Sequence, residues 1–286
     1  MRLKARQIPC AKLARHWTLS INSISTVLKP SENINAAGVA PSPGIVIPAY
    51  KEADNIARLA QEILKFLPDA RIIVVDDSPD LSTQKAVEGL NLSVVSVIHR
   101  MSKGGRGSAV LEGVAFLRKL GCQPIAEMDA DFSHPPSQLP ALLQESHDRK
   151  LDMLIGSRYL KASRIENWPV SRRVFSKCSN ILARIVLGVP LADYTNGYRI
   201  YSARAADLIV ETCGKCGKGF ISLSEILVNL YYRGFTVGET PTVFINRARG
   251  ESSVNFQEIK NALTGLFTIF FLRLRLQRES CQTGKK

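Results

Sequence analysis

Between Gly44 and Ile155, five short apolar runs alternate with amphipathic stretches of helical length. The runs Gly44–Pro48, Arg71–Asp77, Leu92–Ile98, Pro124–Met128 and Leu151–Ile155 are rich in Ile and Val and too short for buried helices. Between them, Glu52–Leu67, Ser82–Leu90, Gly107–Leu120 and Ser137–Asp148 read as helices; in the first, Ile56, Leu59, Ala60, Ile63 and Leu64 share one face. Strands that are apolar on both faces and joined by helices need a mainly parallel sheet covered on both sides. The predicted fold class is therefore α/β.

The fourth run ends in the most informative segment, Ile125-Ala-Glu-Met-Asp129-Ala-Asp131-Phe-Ser133-His-Pro-Pro136. Residues i and i+2 of an extended segment lie on one face, so the carboxylates of Asp129 and Asp131 can converge on one hard cation. Mg²⁺ or Mn²⁺ takes one or two carboxylates and completes its shell with water and substrate phosphates. Acids at the carboxyl end of such a strand stand where open α/β sheets bind ligands. The plain alternative is a pair of solvated aspartates capping the next helix. Two more strand ends carry polar equipment, Ile47-Pro48-Ala-Tyr50-Lys-Glu52 and Val75-Asp76-Asp77-Ser78.

The chain has 286 residues and a formal net charge of +13, which calls for an anionic partner. The excess sits at the two ends and in arginine-rich spots. No long Lys/Arg run is interleaved with aromatics, which ranks nucleic acid below a lipid surface or a phosphorylated substrate. The six cysteines are scattered, as expected of reduced thiols, and Cys213-Gly-Lys-Cys216 has no second ligand pair and reads as a turn. No segment reaches the ~18 consecutive apolar residues of a membrane span. Before Glu32 there are basic residues and no acids, a composition shared by transit peptides and basic tails. Residues 1–43 are read as a disordered basic extension, 44–258 as the folded domain, and 259–286 as an amphipathic helix with a basic tail.

Two later stretches have helical stripes. Residues 171–187 align Val174, Phe175, Cys178, Ile181, Leu182, Ile185 and Val186, which fits either a core-facing or a membrane-facing helix. In 259–276, Ile259, Leu263, Leu266, Phe267, Phe270, Phe271 and Leu274 are accompanied by Arg273, Arg275 and Arg278, which predicts contact with a membrane or a partner.

The three strand ends, with Gly156-Ser-Arg158-Tyr159, Thr195-Asn-Gly-Tyr-Arg199 and Arg247-Ala-Arg-Gly250-Glu-Ser252, resemble family 2 inverting glycosyltransferases of the GT-A fold. Among them the resemblance is to the dolichol-phosphate (polyprenol-phosphate) mannosyltransferases, over about residues 44–275. It implies that Pro48, Tyr50, Glu52, Asp77 and Lys103 bind the nucleotide sugar together with Asp129. Asp129 and Asp131, with Ser133 beside them, would hold Mg²⁺ or Mn²⁺ on the diphosphate. Arg158, Arg172, Ser176 and Arg247 would bind the acceptor phosphate, and Asp129, Asp131 and Arg158 would be catalytic. There are departures: Lys51 stands where an Asn is common, Ser253 replaces a Lys, and the Leu-Gly usual in the Lys103 loop reads Gly105-Arg106.

The expected reaction moves a hexose, mannose from GDP-mannose, onto a polyprenyl or dolichyl monophosphate with inversion. Because the phosphate nucleophile is already anionic, no general base is required, and His134 reads as structural. The expected place is cytoplasmic, peripheral on the cytosolic face of a membrane, with a small membrane-anchoring subunit as a partner and no nucleic acid. Two alternatives stand: a hexosyltransferase, such as a glucosyltransferase, using a UDP-sugar, and a catalytically silent nucleotide-sugar-binding subunit.

Overall fold

The computed structural model describes residues 41–216, 221–246 and 256–283. The expected N-terminal extension and Arg247 lie outside these residues. Strands β1 (Gly44–Ala49), β2 (Arg71–Asp76), β3 (Val95–His99), β4 (Ile125–Glu127) and β5 (Met153–Ser157) form where the apolar runs predict them. Helices α1 (Ala53–Phe66), α2 (Ser82–Glu88), α3 (Arg106–Lys119) and α4 (Leu139–Asp148) fill the intervals.

Further along come β6 (Arg164–Glu166), α5 (Val170–Leu187), β7 (Arg199–Tyr201), α6 (Ala203–Thr212), α7 (Ile221–Tyr232), β8 (Val237–Pro241), β9 (Val243–Ile245) and α8 (Phe256–Thr283). Seven strands make one sheet in the order β3-β2-β1-β4-β7-β5-β8, and β6 pairs with β9 in a separate parallel ladder. Only β7 runs against its neighbours: it is antiparallel to both β4 and β5.

Alternation along the strands divides the core. Val46, Ile73 and Val75 face α3, α6 and α7, while Ile45, Ile47, Ile72 and Val74 face α1 and α4. Gly113 of α3 lets that helix close on the sheet, because a Cβ there would lie 2.4 Å from Val46 Cγ2 and 3.1 Å from Val75 Cγ2. Both neighbours are stiff, buried β-branched side chains. Overpacking of this kind costs about 1–3 kcal/mol, against roughly 1 kcal/mol gained by Ala over Gly in a helix. Gly113→Ala is expected to lower the denaturant midpoint, and an unchanged or raised midpoint would contradict this packing.

Two helices differ from a simple reading of their stripes. In α5 the face turned inward carries Asn180, Ala183 and Leu187, while Val174, Phe175, Ile181, Leu182 and Ile185 are exposed. The apolar stripe of 171–187 is therefore not a core face. In α8, Ile269 and Leu276 are buried in the main core, while Phe267 and Phe271 point outward. This helix begins at Phe256, so the expected boundary at 259 falls inside it, and it is anchored to the body of the protein. Arg273 Nη1 donates to the Val186 carbonyl at 2.6 Å and Tyr232 Oη to the Leu187 carbonyl at 2.9 Å, tying α8 and α7 to the last turn of α5. No helix among the described residues is long and apolar enough to cross a membrane.

Candidate active site

The sheet topology decides which loops meet. Arg199 of β7 is in register with Glu127 of β4 and with Ile155 of β5, so β4 and β5 point the same way on either side of it. Asp129 and Arg158 thus emerge at the same edge, two strand spacings or about 10 Å apart. Running the other way, the loop before β7 delivers Asp193, Thr195 and Asn196 between them.

Asp129 is pinned at three points. Its Oδ1 accepts from Arg106 Nη2 at 2.7 Å and Nε at 3.2 Å, and its backbone N–H donates to His134 Nδ1 at 3.1 Å. With Nδ1 accepting, His134 carries its proton on Nε2, which donates to Asn196 Oδ1 at 2.9 Å. The imidazole is buried and stacked on Tyr198 with centroids 4.7 Å apart. His134 is structural, as expected, and orients the aspartate loop. Burial would push the Asp129 carboxyl up, but Arg106, with Arg158 behind it, outweighs this and holds it down at about 2. Asp129 is therefore an anion across the physiological range.

Asp131 lies two residues on, and its Oδ1 accepts from the Ser133 backbone N–H at 3.0 Å. Between them Phe132 adopts φ +60°, a left-handed conformation unusual for a bulky residue, beneath the Arg58 guanidinium at 4.4 Å. Two hard carboxylates on one short turn suit Mg²⁺ or Mn²⁺ completed by substrate phosphates. No all-protein cage of three or more His, Cys, Asp or Glu occurs among the described residues, and such a cation needs none.

Beside the aspartate turn, at the ends of β1 and β2, Tyr50 is 42 % exposed, with Lys103 Nζ 3.7 Å above its ring centroid. Asp77 forms a two-pronged pair with Arg100 at 2.5 and 2.6 Å and accepts from the Gly105 backbone N–H at 2.9 Å. This salt bridge fixes the Lys103 loop to β2. Asp76 is buried and accepts from Ser78 Oγ at 2.5 Å and from its backbone N–H at 3.1 Å, with His99 Nδ1 3.0 Å from its other oxygen. Pro48 lies half-buried near the end of β1, and Glu52 precedes α1, bound by Asn55 at 2.8 Å.

On the other side, Arg158 is 8 % exposed. Its Nε and Nη2 each donate to Asp193 at 2.8 Å, and Nη2 also donates to Thr195 Oγ1 at 2.7 Å. Nη1 makes no hydrogen bond among the described residues. Arg158 and Arg172 approach the Trp168 ring, at 5.5 and 4.4 Å. The Trp168 indole N–H is buried and has no partner among the described residues. Tyr159 Oη donates to Ser176 Oγ at 2.6 Å, and Arg172 Nη1 to Asn246 Oδ1 at 3.2 Å. Arg158, Arg172 and Ser176 are thus brought into one neighbourhood.

Sequence reasoning missed Arg106, Glu127, Asp193, Asn196 and Trp168. Glu127 gave a signal: an acid inside an apolar strand needs a buried cation.

The chain belongs to a known class. Residues 44–209 match the model of glycosyl transferase family 2, and the chain is a member of that family with the GT-A fold. Three relatives narrow the kinship. Polyprenol monophosphomannose synthase of Mycolicibacterium smegmatis is 34 % identical over 222 residues, 77 % of this chain and 83 % of that protein. Undecaprenyl-phosphate mannosyltransferase of Micrococcus luteus is 35 % identical over 219 residues, 73 % and 86 % of the two chains. Dolichol-phosphate mannosyltransferase of Pyrococcus furiosus is 34 % identical over 230 residues, 79 % of this chain and 62 % of that one. Glucosyl-3-phosphoglycerate synthase of Mycobacterium tuberculosis, solved with Mn²⁺, UDP and phosphoglyceric acid, shares the fold with a TM-score of 0.60. Its identity is 15 %, covering 80 % of this chain and 78 % of that one.

Proposed function

We propose that this chain transfers mannose from GDP-mannose onto a polyprenyl monophosphate, with inversion at the anomeric carbon. The observation that carries the reading is the juxtaposition, on one sheet edge, of an ionised Asp129 with Asp131 and of Arg158 with Arg172 and Ser176. One side suits a cation-bound diphosphate and the other a second phosphate. Pro48, Tyr50, Glu52, Asp77 and Lys103 flank the nucleotide side. Asp129 and Asp131, with Ser133 alongside, would hold a divalent cation, which would supply charge neutralisation for the departing diphosphate.

The residues do the rest by position. Arg158, held by Asp193, presents its remaining guanidinium edge to the acceptor phosphate, and Arg172 and Ser176 hold that phosphate from α5. No side chain has to take a proton from the nucleophile. His134 has both ring nitrogens engaged and is not a base.

The test is transfer of label from GDP-mannose, UDP-glucose or UDP-GlcNAc into the organic phase with a polyprenyl phosphate. Label from GDP-mannose alone, lost in Asp131→Ala, is the expected result. Label from a UDP-sugar would replace the donor, and none from any donor, despite nucleotide binding, would point to a silent subunit.

The same reading calls for a membrane. On α5, Val170, Val174, Ile181 and Ile185 are between 50 and 74 % exposed, and Phe267 and Phe271 of α8 add 64 and 65 %. Arg173, Lys177, Arg184, Arg275 and Arg278 lie on the same two helices. An apolar face with a basic flank suits the headgroup boundary of an anionic leaflet, here taken as the cytosolic one. Ile185→Asp is expected to weaken sedimentation with anionic phospholipid vesicles by roughly tenfold, since burying one aliphatic side chain contributes about 1.5–3 kcal/mol. If the wild type does not sediment with vesicles alone, recruitment by a small membrane-anchoring subunit takes the place of direct binding.

A further inference from the structure

Arg106 is a tightly constrained cation beside the aspartate turn. Its side chain is only 13 % exposed. Nε and Nη2 hold Asp129 Oδ1, while Nη1 donates to Glu127 Oε1 at 2.5 Å. The other oxygen of Glu127 accepts from Tyr201 Oη at 2.6 Å, and Glu127 is fully buried. Were Arg106 to swing away, that carboxylate would lose its cation in the interior. A third constraint comes from the loop before β7. A Cβ on Gly197 would lie 1.9 Å from Arg106 Nη2, so the backbone there closes over the guanidinium and a larger residue would have to displace it from its carboxylates. Arg106 is thus a fixed charge.

We infer that Arg106 is a tethered cation that keeps a divalent metal off Asp129 until a nucleoside diphosphate arrives, so that metal and nucleotide bind together. The inference rests on the metal-dependent reading above. One Asp129 oxygen is already taken by a guanidinium. A dication at the other oxygen would lie within a few ångströms of the guanidinium, with Asp131 as the one further carboxylate on the turn, and this local repulsion weakens its hold. The diphosphate supplies the missing charge and further oxygen ligands. With a leucine at this position the carboxylates would attract the metal without waiting for the nucleotide.

Titration of the protein with Mn²⁺, followed by loss of the free-ion electron paramagnetic resonance signal, tests this without sugar or lipid. The wild type is expected to capture Mn²⁺ only when GDP or UDP is added. The double variant Arg106→Leu/Glu127→Gln, which removes the fully buried Glu127 charge together with its cation, is expected to capture Mn²⁺ alone at least about tenfold more tightly than the wild type. Arg106→Lys, which keeps the cation, is expected to require the nucleotide still. Capture by the wild type without nucleotide overturns the inference whether or not the double variant folds. So does a double variant that folds and still requires nucleotide. No capture with either nucleotide overturns both this inference and the metal-dependent reading, whereas capture without nucleotide leaves that reading standing.

Discussion

Asp129→Asn is expected to lower mannosyl transfer by about 10²–10³-fold, the range seen when one preorganised charge-stabilising group is removed. An amide has the shape of the carboxylate but only one oxygen. Arg106 presents two N–H groups to that side of the residue and will take the oxygen, turning the NH₂ toward the place of the cation. The site then loses a hard anionic ligand although the backbone is unchanged. His134 still accepts from the residue 129 N–H, and Glu127 still pairs with Arg106. Thermal melting is therefore expected to shift by only a few degrees, about 1 kcal/mol or less. Organic-phase label measured beside the melting curve separates the two effects. A loss of less than about tenfold in transfer would remove Asp129 from the donor site.

The parts of this site that could be read in advance are those with a period or a motif. β1, β2, β4 and β5 are buried on both faces and the edge strand β3 is half-buried, so apolar runs announce them, and the i, i+2 spacing of Asp129 and Asp131 follows from strand geometry. β7 gave no such signal. It is three residues long and carries Arg199, whose fully buried guanidinium donates to the Asn196, Leu223 and Tyr194 carbonyls. A cation satisfied by carbonyls of the preceding loop and of the first turn of α7 has no side-chain signature, since backbone acceptors occur at every residue. Asp193 gave no local signal either. It is 35 residues from Arg158 in sequence, and they meet only because β7 reverses direction between β4 and β5. Arg106 could be seen as a departure from the family pattern, but its destination could not. The outward face of α5 was equally illegible, because an apolar stripe is the same pattern whether it meets protein or lipid.

Arg158, Arg172 and Ser176 are held by a layer of polar contacts around the loop before β7. Glu239 of β8 accepts from the Ala192 N–H at 2.7 and 3.0 Å and orients the loop that carries Asp193. Asn180 of α5 accepts from the Tyr194 N–H at 2.7 Å, binding the helix that bears Arg172 and Ser176 to the same loop. Asp193 is the centre of this layer. It has no solvent exposure, and it accepts from Nε, Nη2 and the backbone N–H of Arg158 and from the backbone N–H groups of Thr195 and Asn196.

Asp193→Ala should therefore be the most destabilising single change at the site, by about 3–5 kcal/mol, because it leaves a buried guanidinium without its anion. Chemical denaturation at neutral pH measures this, and a loss below about 1 kcal/mol would show that solvent reaches Arg158 freely. The pH dependence gives an independent test. Burial would raise the Asp193 carboxyl, but Arg158 and the backbone donors outweigh it and hold it below the ordinary carboxylate range. A group depressed in the folded state contributes stability above its unfolded value, about pH 4, and loses it as pH falls through the folded one. Asp193→Asn mimics the protonated acid, and the titration of other groups is common to both proteins. The stability gap between wild type and Asp193→Asn is thus expected to be constant above about pH 4 and to close below it. A gap independent of pH down to acid unfolding would mean that the Arg158–Asp193 contact acts through its shape and not through its charge.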